Sequence, residues 1–163
     1  MKVYLENAVF STLEKQQYLA QEEQALDEIL ERFEAGELEL VTSEVTKKEF
    51  DALKDFPERL KNHKVLERFY RLLPKVPFVE EQKMLGSHSL WDKLGGASWA
   101  IIEDDPIWKR LLDLGIDRTD AHHLMLAIRA KCDVLLTMDG PMLDCRSDVE
   151  KEFRIKMMRP SEL

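Results

Sequence analysis

The sequence predicts an α/β fold: a three-layer α/β/α sandwich with helices on both faces of a mostly parallel central sheet. Short apolar runs alternate along the chain with longer stretches of helical period, the order that sets strands side by side with helices packed across them. The run Val134 to Leu136 is apolar at every position instead of at alternate ones, as a strand covered on both faces requires. Acidic residues stand where apolar runs stop, and beyond the carboxyl ends of the strands is where open parallel sheets bind ligands.

Val3, Tyr4 and Leu5 form the first strand, which stops abruptly at Glu6-Asn7. Residues Leu19 to Ala35 carry Leu26, Ile29, Leu30 and Phe33 on one helical face and acids on the other, with Gly36 as the stop. Leu38 to Thr42 reads as a second strand, and Ser43 can cap the helix SEVTKKEFDALKDF that follows. Along that helix Glu49 lies beside the stripe of Val45 and Leu53, and a carboxylate bordering apolar surface needs a partner. A further helical period runs from Pro57 to Pro74, with Val65, Phe69, Leu72 and Leu73 inward and Lys61, Lys64, Arg68 and Arg71 recurring every three or four residues. That basic stripe is either a phosphate track or a solvated face. Val76 to Ile102 sustains no period and reads as an irregular insertion: a lid, an oligomer contact or a packed loop.

Asp105-Pro106 opens another helix that ends at Gly115. Next comes a largely buried helix over Ala121 to Lys131, predicted to start at Thr119 or Asp120, then the strand Val134 to Leu136 and a turn at Asp139-Gly140-Pro141. A short helical turn and a last strand over Phe153 to Met157 complete the chain.

Composition narrows the function classes. A chain of 163 residues with 44% hydrophobic content suits one domain over 1–163 with a substantial core. The formal charge of -8 means that any contact with nucleic acid must be local, which is why the Lys61 to Arg71 stripe matters. Two cysteines, Cys132 and Cys145, in no ligand or redox spacing favour a reducing, cytoplasmic setting. Nothing in the sequence reads as a signal peptide or a membrane span.

Glu6, Glu49, Asp120 and Asp139 all fall at or beside strand ends or helix starts. Singly, Asp120 suits a helix cap and Asp139-Gly140 a turn. Gathered in one crevice, carboxylates cannot all stay ionised without a cation, and a hard divalent ion, Mg²⁺ or Mn²⁺, is the economical partner. His123, one helical turn beyond Asp120, reads as a packed core histidine, since oxygen-rich Mg²⁺ sites seldom use imidazole.

The pieces VYLENAVF, LVTSEVTKKEF, TDAHHLMLA and VLLTMDGPM resemble the PIN-domain ribonucleases found in toxin-antitoxin pairs and as stand-alone proteins. The resemblance implies a metal-dependent endoribonuclease whose four acids are Glu6, Glu49, Asp120 and Asp139, holding one or two Mg²⁺ or Mn²⁺ ions. Thr137, Ser43 and Asn7 read either as supporting groups that donate to ligand carboxylates or phosphate, or as caps of local structure. RNA is the implied substrate, with an antitoxin protein and a second copy of the chain as further partners. This sequence carries Glu6 where the family carries Asp, and its Val76 to Ile102 stretch is longer than in compact members. A haloacid-dehalogenase phosphatase or a receiver domain would place paired acids after the first strand, and Glu6-Asn7-Ala8 has none. The rival reading is a non-catalytic module of the same fold that binds RNA or protein.

Overall fold

The computed structural model describes residues 1–14, 20–43, 46, 64–79 and 104–163. Glu49, Lys61, most of the helix predicted over 43–56, the start of the one predicted from Pro57, and residues 80–102 of the predicted insertion lie outside them.

Five strands, β1 (Lys2–Leu5), β2 (Glu39–Ser43), β3 (Phe78–Val79), β4 (Val134–Leu136) and β5 (Lys156–Met158), form one all-parallel sheet in the order β3-β2-β1-β4-β5. The chain therefore builds outward from β1 on one side, then returns to the other side for β4 and β5. That reversal makes the gap between the carboxyl ends of β1 and β4 the switch point where doubly wound sheets bind ligands. The register there sets Leu5 opposite Leu136.

Successive strand residues point to opposite faces and feed two separate cores. Val3, Leu5, Leu40, Val134 and Leu136 face α1 (Asn7–Glu14), α2 (Ala20–Glu34) and α3 (Lys64–Leu72), where Phe10, Leu26, Leu30 and Phe69 pack. Tyr4, Val41, Leu135 and Met157 face the other layer, formed by α4 (Pro106–Asp113), α5 (Arg118–Arg129), α6 (Gly140–Asp144) and α7 (Arg146–Phe153). The three-layer sandwich expected from the sequence is thus present. Among the described residues no helix is long and apolar enough to cross a membrane.

Several elements differ from expectation. Helix α1 was not anticipated: at eight residues it is too short to display a period, yet Val9 and Phe10 are buried. β3 arises inside the stretch read as irregular, because Phe78 and Val79 pair with Thr42 and Ser43. The cap of α5 is Asp117, not Thr119 or Asp120: its carboxylate accepts from the amides of Thr119 (2.8 Å) and Asp120 (3.1 Å). The last strand starts at Lys156, since Phe153 ends α7 and Arg154 takes a left-handed conformation (φ 60°) that breaks the chain direction. By contrast Asp105 caps α4 with Pro106 in the first turn, as its sequence signature predicts.

Candidate functional site

Three of the four predicted acids are described, and all three belong to the switch-point end of the sheet or to the helix beside it. Glu6 follows β1 directly and is buried. One carboxylate oxygen accepts from the amide of Ala8 (2.9 Å), the other from the hydroxyl of Thr137 (2.9 Å), while the Glu6 amide donates to the Leu136 carbonyl (3.2 Å). Thr137, fully buried just past β4, has its hydroxyl oxygen accept in turn from the Asp139 amide (3.0 Å). Asp139 caps α6 by accepting from the Met142 amide (2.8 Å). One hydroxyl therefore links the residues after β1 and β4, which are far apart in the chain and adjacent only because those strands pair.

Asp120 lies in the first turn of α5, partly buried. Burial first, then the hydrogen bond it shares with Asp117 and the charges of Asp117, Asp139 and Glu6, push its carboxyl up to about 7. Burial also pushes Asp117 up, but the amides of Asp120 and Thr119 and the Asp120 carboxyl outweigh it and hold Asp117 below its ordinary value. Asp120 thus feels the charges of Asp139 and Glu6. Asp117, missed in the sequence, joins them, and the only signal for it was that Asp is as good a cap as Thr.

The supporting residues are placed unevenly. Thr137 ties two acids together, as described. Ser43, buried at the end of β2, accepts from the Thr46 amide (3.1 Å), the geometry of a helix cap, and its neighbour Thr42 donates to the Leu5 carbonyl (3.0 Å). Asn7 opens α1 and is partly buried. Beneath the acids the Tyr4 hydroxyl and the Nδ1 of His123 are paired at 3.0 Å, both side chains buried. Burial pushes His123 down to about 4, so its ring is neutral at physiological pH, and burial lowers His122 as well.

The oxygen-only donor set, with the Asp120 carboxyl raised first by burial and then by its acidic neighbours, suits a hard divalent cation. Among the described residues, no three His, Cys, Asp or Glu side chains converge closely enough to hold a metal as they stand. Each of these carboxylates is already engaged: Glu6 by Ala8 and Thr137, Asp139 by Met142, and Asp117 by the amides of its own helix. In charge and donor chemistry these oxygen-bearing residues suit a divalent ion, although their side chains do not converge on one as they stand.

Of the predicted cations, Lys64 is exposed at the start of α3 and Arg71 is also exposed, 3.6 Å from Glu34. Arg68 instead turns onto α2, bonding Asp27 (2.7 Å), Glu31 (3.0 Å) and Glu34 (2.7 Å). These pairs raise its pKa further, and Arg68 lowers that of Glu34. The stripe is therefore split: Arg68 joins two helices, whereas Lys64 and Arg71 border an open groove with Asp27, Glu67 and Arg68.

No protein-family model matches the chain, nor does any curated protein or solved structure.

Proposed function

We propose that this protein is an endoribonuclease that hydrolyses RNA phosphodiester bonds with Mg²⁺ or Mn²⁺ held by Glu6, Asp120 and Asp139, with Glu49 as the fourth acid. The observation that supports this reading is the link from Glu6 through Thr137 to Asp139 at the switch point, with Asp120 close enough to feel the charges of both. RNA as substrate rests on the resemblance to PIN-domain ribonucleases. A bound divalent ion would activate water and neutralise charge on the phosphate oxygens. The chain's own residues prepare that site. Thr137 keeps the Glu6 carboxylate from rotating away, the Met142 amide orients Asp139, and Asp120 carries a proton that a cation would displace. A second reading, a non-catalytic binding module, is favoured by the bonds that already engage both Glu6 oxygens, which would suit a purely structural bracket.

Glu6→Gln separates the two readings. The nuclease reading expects Mn²⁺-dependent cleavage of a mixed RNA pool leaving 5′-phosphate ends, stopped by chelator, lost in Glu6→Gln, and retained at least in part by Glu6→Asp. If neither the parent nor Glu6→Asp cuts any RNA, the binding-module reading replaces it.

A further inference from the structure

Tyr4 and His123 form a polar contact between the strand that leads into Glu6 and the helix that carries Asp120. Tyr4 lies two residues before Glu6, and His123 lies one turn after Asp120 on the same side of α5. Their 3.0 Å hydrogen bond is enclosed, with Tyr4 0% and His123 2% exposed and the rings tilted at 59°. Tyr4 belongs to an apolar core with Ala121, Leu124, Met125 and Leu135, while His123 also lies beside the His122 ring and feels the Asp117 charge. Apolar packing turns the buried side of α5 toward the sheet but constrains its rotation less sharply than a directional bond does. A hydrogen bond between two buried rings sets that rotation more closely. Packing alone would be served as well by a phenylalanine, which has no hydroxyl to satisfy in the interior.

We infer that Tyr4 and His123 are a positioning pair: their hydrogen bond fixes the rotation of α5 relative to β1 and so places Asp120 against Glu6. The inference rests on the metal-site reading above, in which those two carboxylates act together. His123 is suited to the part because its neutral ring can accept from the tyrosine hydroxyl on one nitrogen at any physiological pH. Neither residue would touch the metal or the RNA.

Tyr4→Phe keeps the ring and removes only the hydroxyl. Calorimetric titration of the metal-free full chain with Mn²⁺ should show affinity about tenfold weaker than the parent, the usual loss when a partner behind a metal ligand is removed. RNA cleavage at saturating Mn²⁺ should lose kcat while KM for RNA stays within about twofold, and Tyr4→Phe combined with His123→Leu should bind Mn²⁺ no more weakly than the worse single variant. In metal-free crystal structures superposed on the sheet, the Asp120 carboxylate of Tyr4→Phe should move about 1 Å from its parental place relative to Glu6. A variant that melts earlier but keeps parental Mn²⁺ affinity, kcat and Asp120 position overturns the inference and leaves the pair as core packing. If the parent itself binds no Mn²⁺, the metal-site reading fails, and the Asp120 displacement alone decides whether the pair positions α5.

Discussion

Asp120 is where opposing demands meet at the scale of one residue. The first turn of a helix favours a carboxylate, but burial, the bond with Asp117, and the charges of Asp117, Asp139 and Glu6 push its carboxyl from an ordinary 3.8 up to about 7. Between about pH 4 and pH 7 the folded chain therefore keeps a proton that the unfolded chain has released. Stability contributed by the protonated form falls as pH rises through that window and stays lower above it. Asp120→Asn cannot ionise, and it leaves the cap intact because Asp117 supplies it. Scanning calorimetry of the chelated protein at pH 8 should show the variant melting a few degrees higher than the parent, a gain of about 1 kcal/mol after allowance for partial exposure, with the difference vanishing near pH 4. An earlier melt at pH 8 would mean that the ionised carboxylate stabilises the fold. The place of Asp120 in the first turn of a buried helix was legible in the sequence; its raised carboxyl was not, because that depends first on burial and on Asp117 and then on the charges of Asp139 and Glu6, all set by the folded chain.

Between elements, Arg68 joins α3 to α2 by neutralising three acids on successive turns: Asp27, Glu31 and Glu34. Helical period alone identified Arg68 as one of a basic row and could not say which of its members meets a facing helix. Replacing it with Gln leaves those acids repelling one another, so the melting temperature should fall at low salt and recover much of the difference at about 1 M salt, where the Debye length is near 3 Å. A deficit independent of salt would assign the effect to lost packing of the Arg68 stem instead. RNA binding should respond differently. Reversing exposed Lys64 and Arg71 to Glu should weaken it and flatten its salt dependence, whereas Arg68→Gln should leave the salt slope near that of the parent.

For the whole molecule, metal binding, protonation and folding are expected to be coupled. A cation that binds only the folded chain stabilises it by about 2.7 kcal/mol at 100 times its dissociation constant. On the proposed reading Mn²⁺ should raise the melting temperature of the parent and leave Asp139→Asn almost unmoved. Since Asp120 must give up its proton to become a ligand, Mn²⁺ affinity should rise between pH 6 and pH 8, by roughly tenfold, with protons released on binding. Titrations in two buffers of different ionisation heat would measure that release. Equal affinity at both pH values would remove Asp120 from the ligand set.

By itself the sequence determined those features that a short window of residues can decide. These are the strand runs at Val3, Leu38 and Val134, the Asp105-Pro106 helix start, the apolar faces of α2 and α5, and the placing of Glu6 immediately after β1 and of Asp139 in the turn that follows β4. Each depends on periodicity, turn chemistry or capping, whose energies act within about one helical turn. Tertiary structure alone decided the rest: Leu5 opposite Leu136, the two-residue β3 against Thr42 and Ser43, Asp117 rather than Thr119 as cap, Arg68 on the acids of α2, and Tyr4 on His123. These contacts join residues far apart in the chain or choose between nearly equal local options. Their energies exist only once the sheet order has brought both partners together, so no local pattern in the chain could carry them.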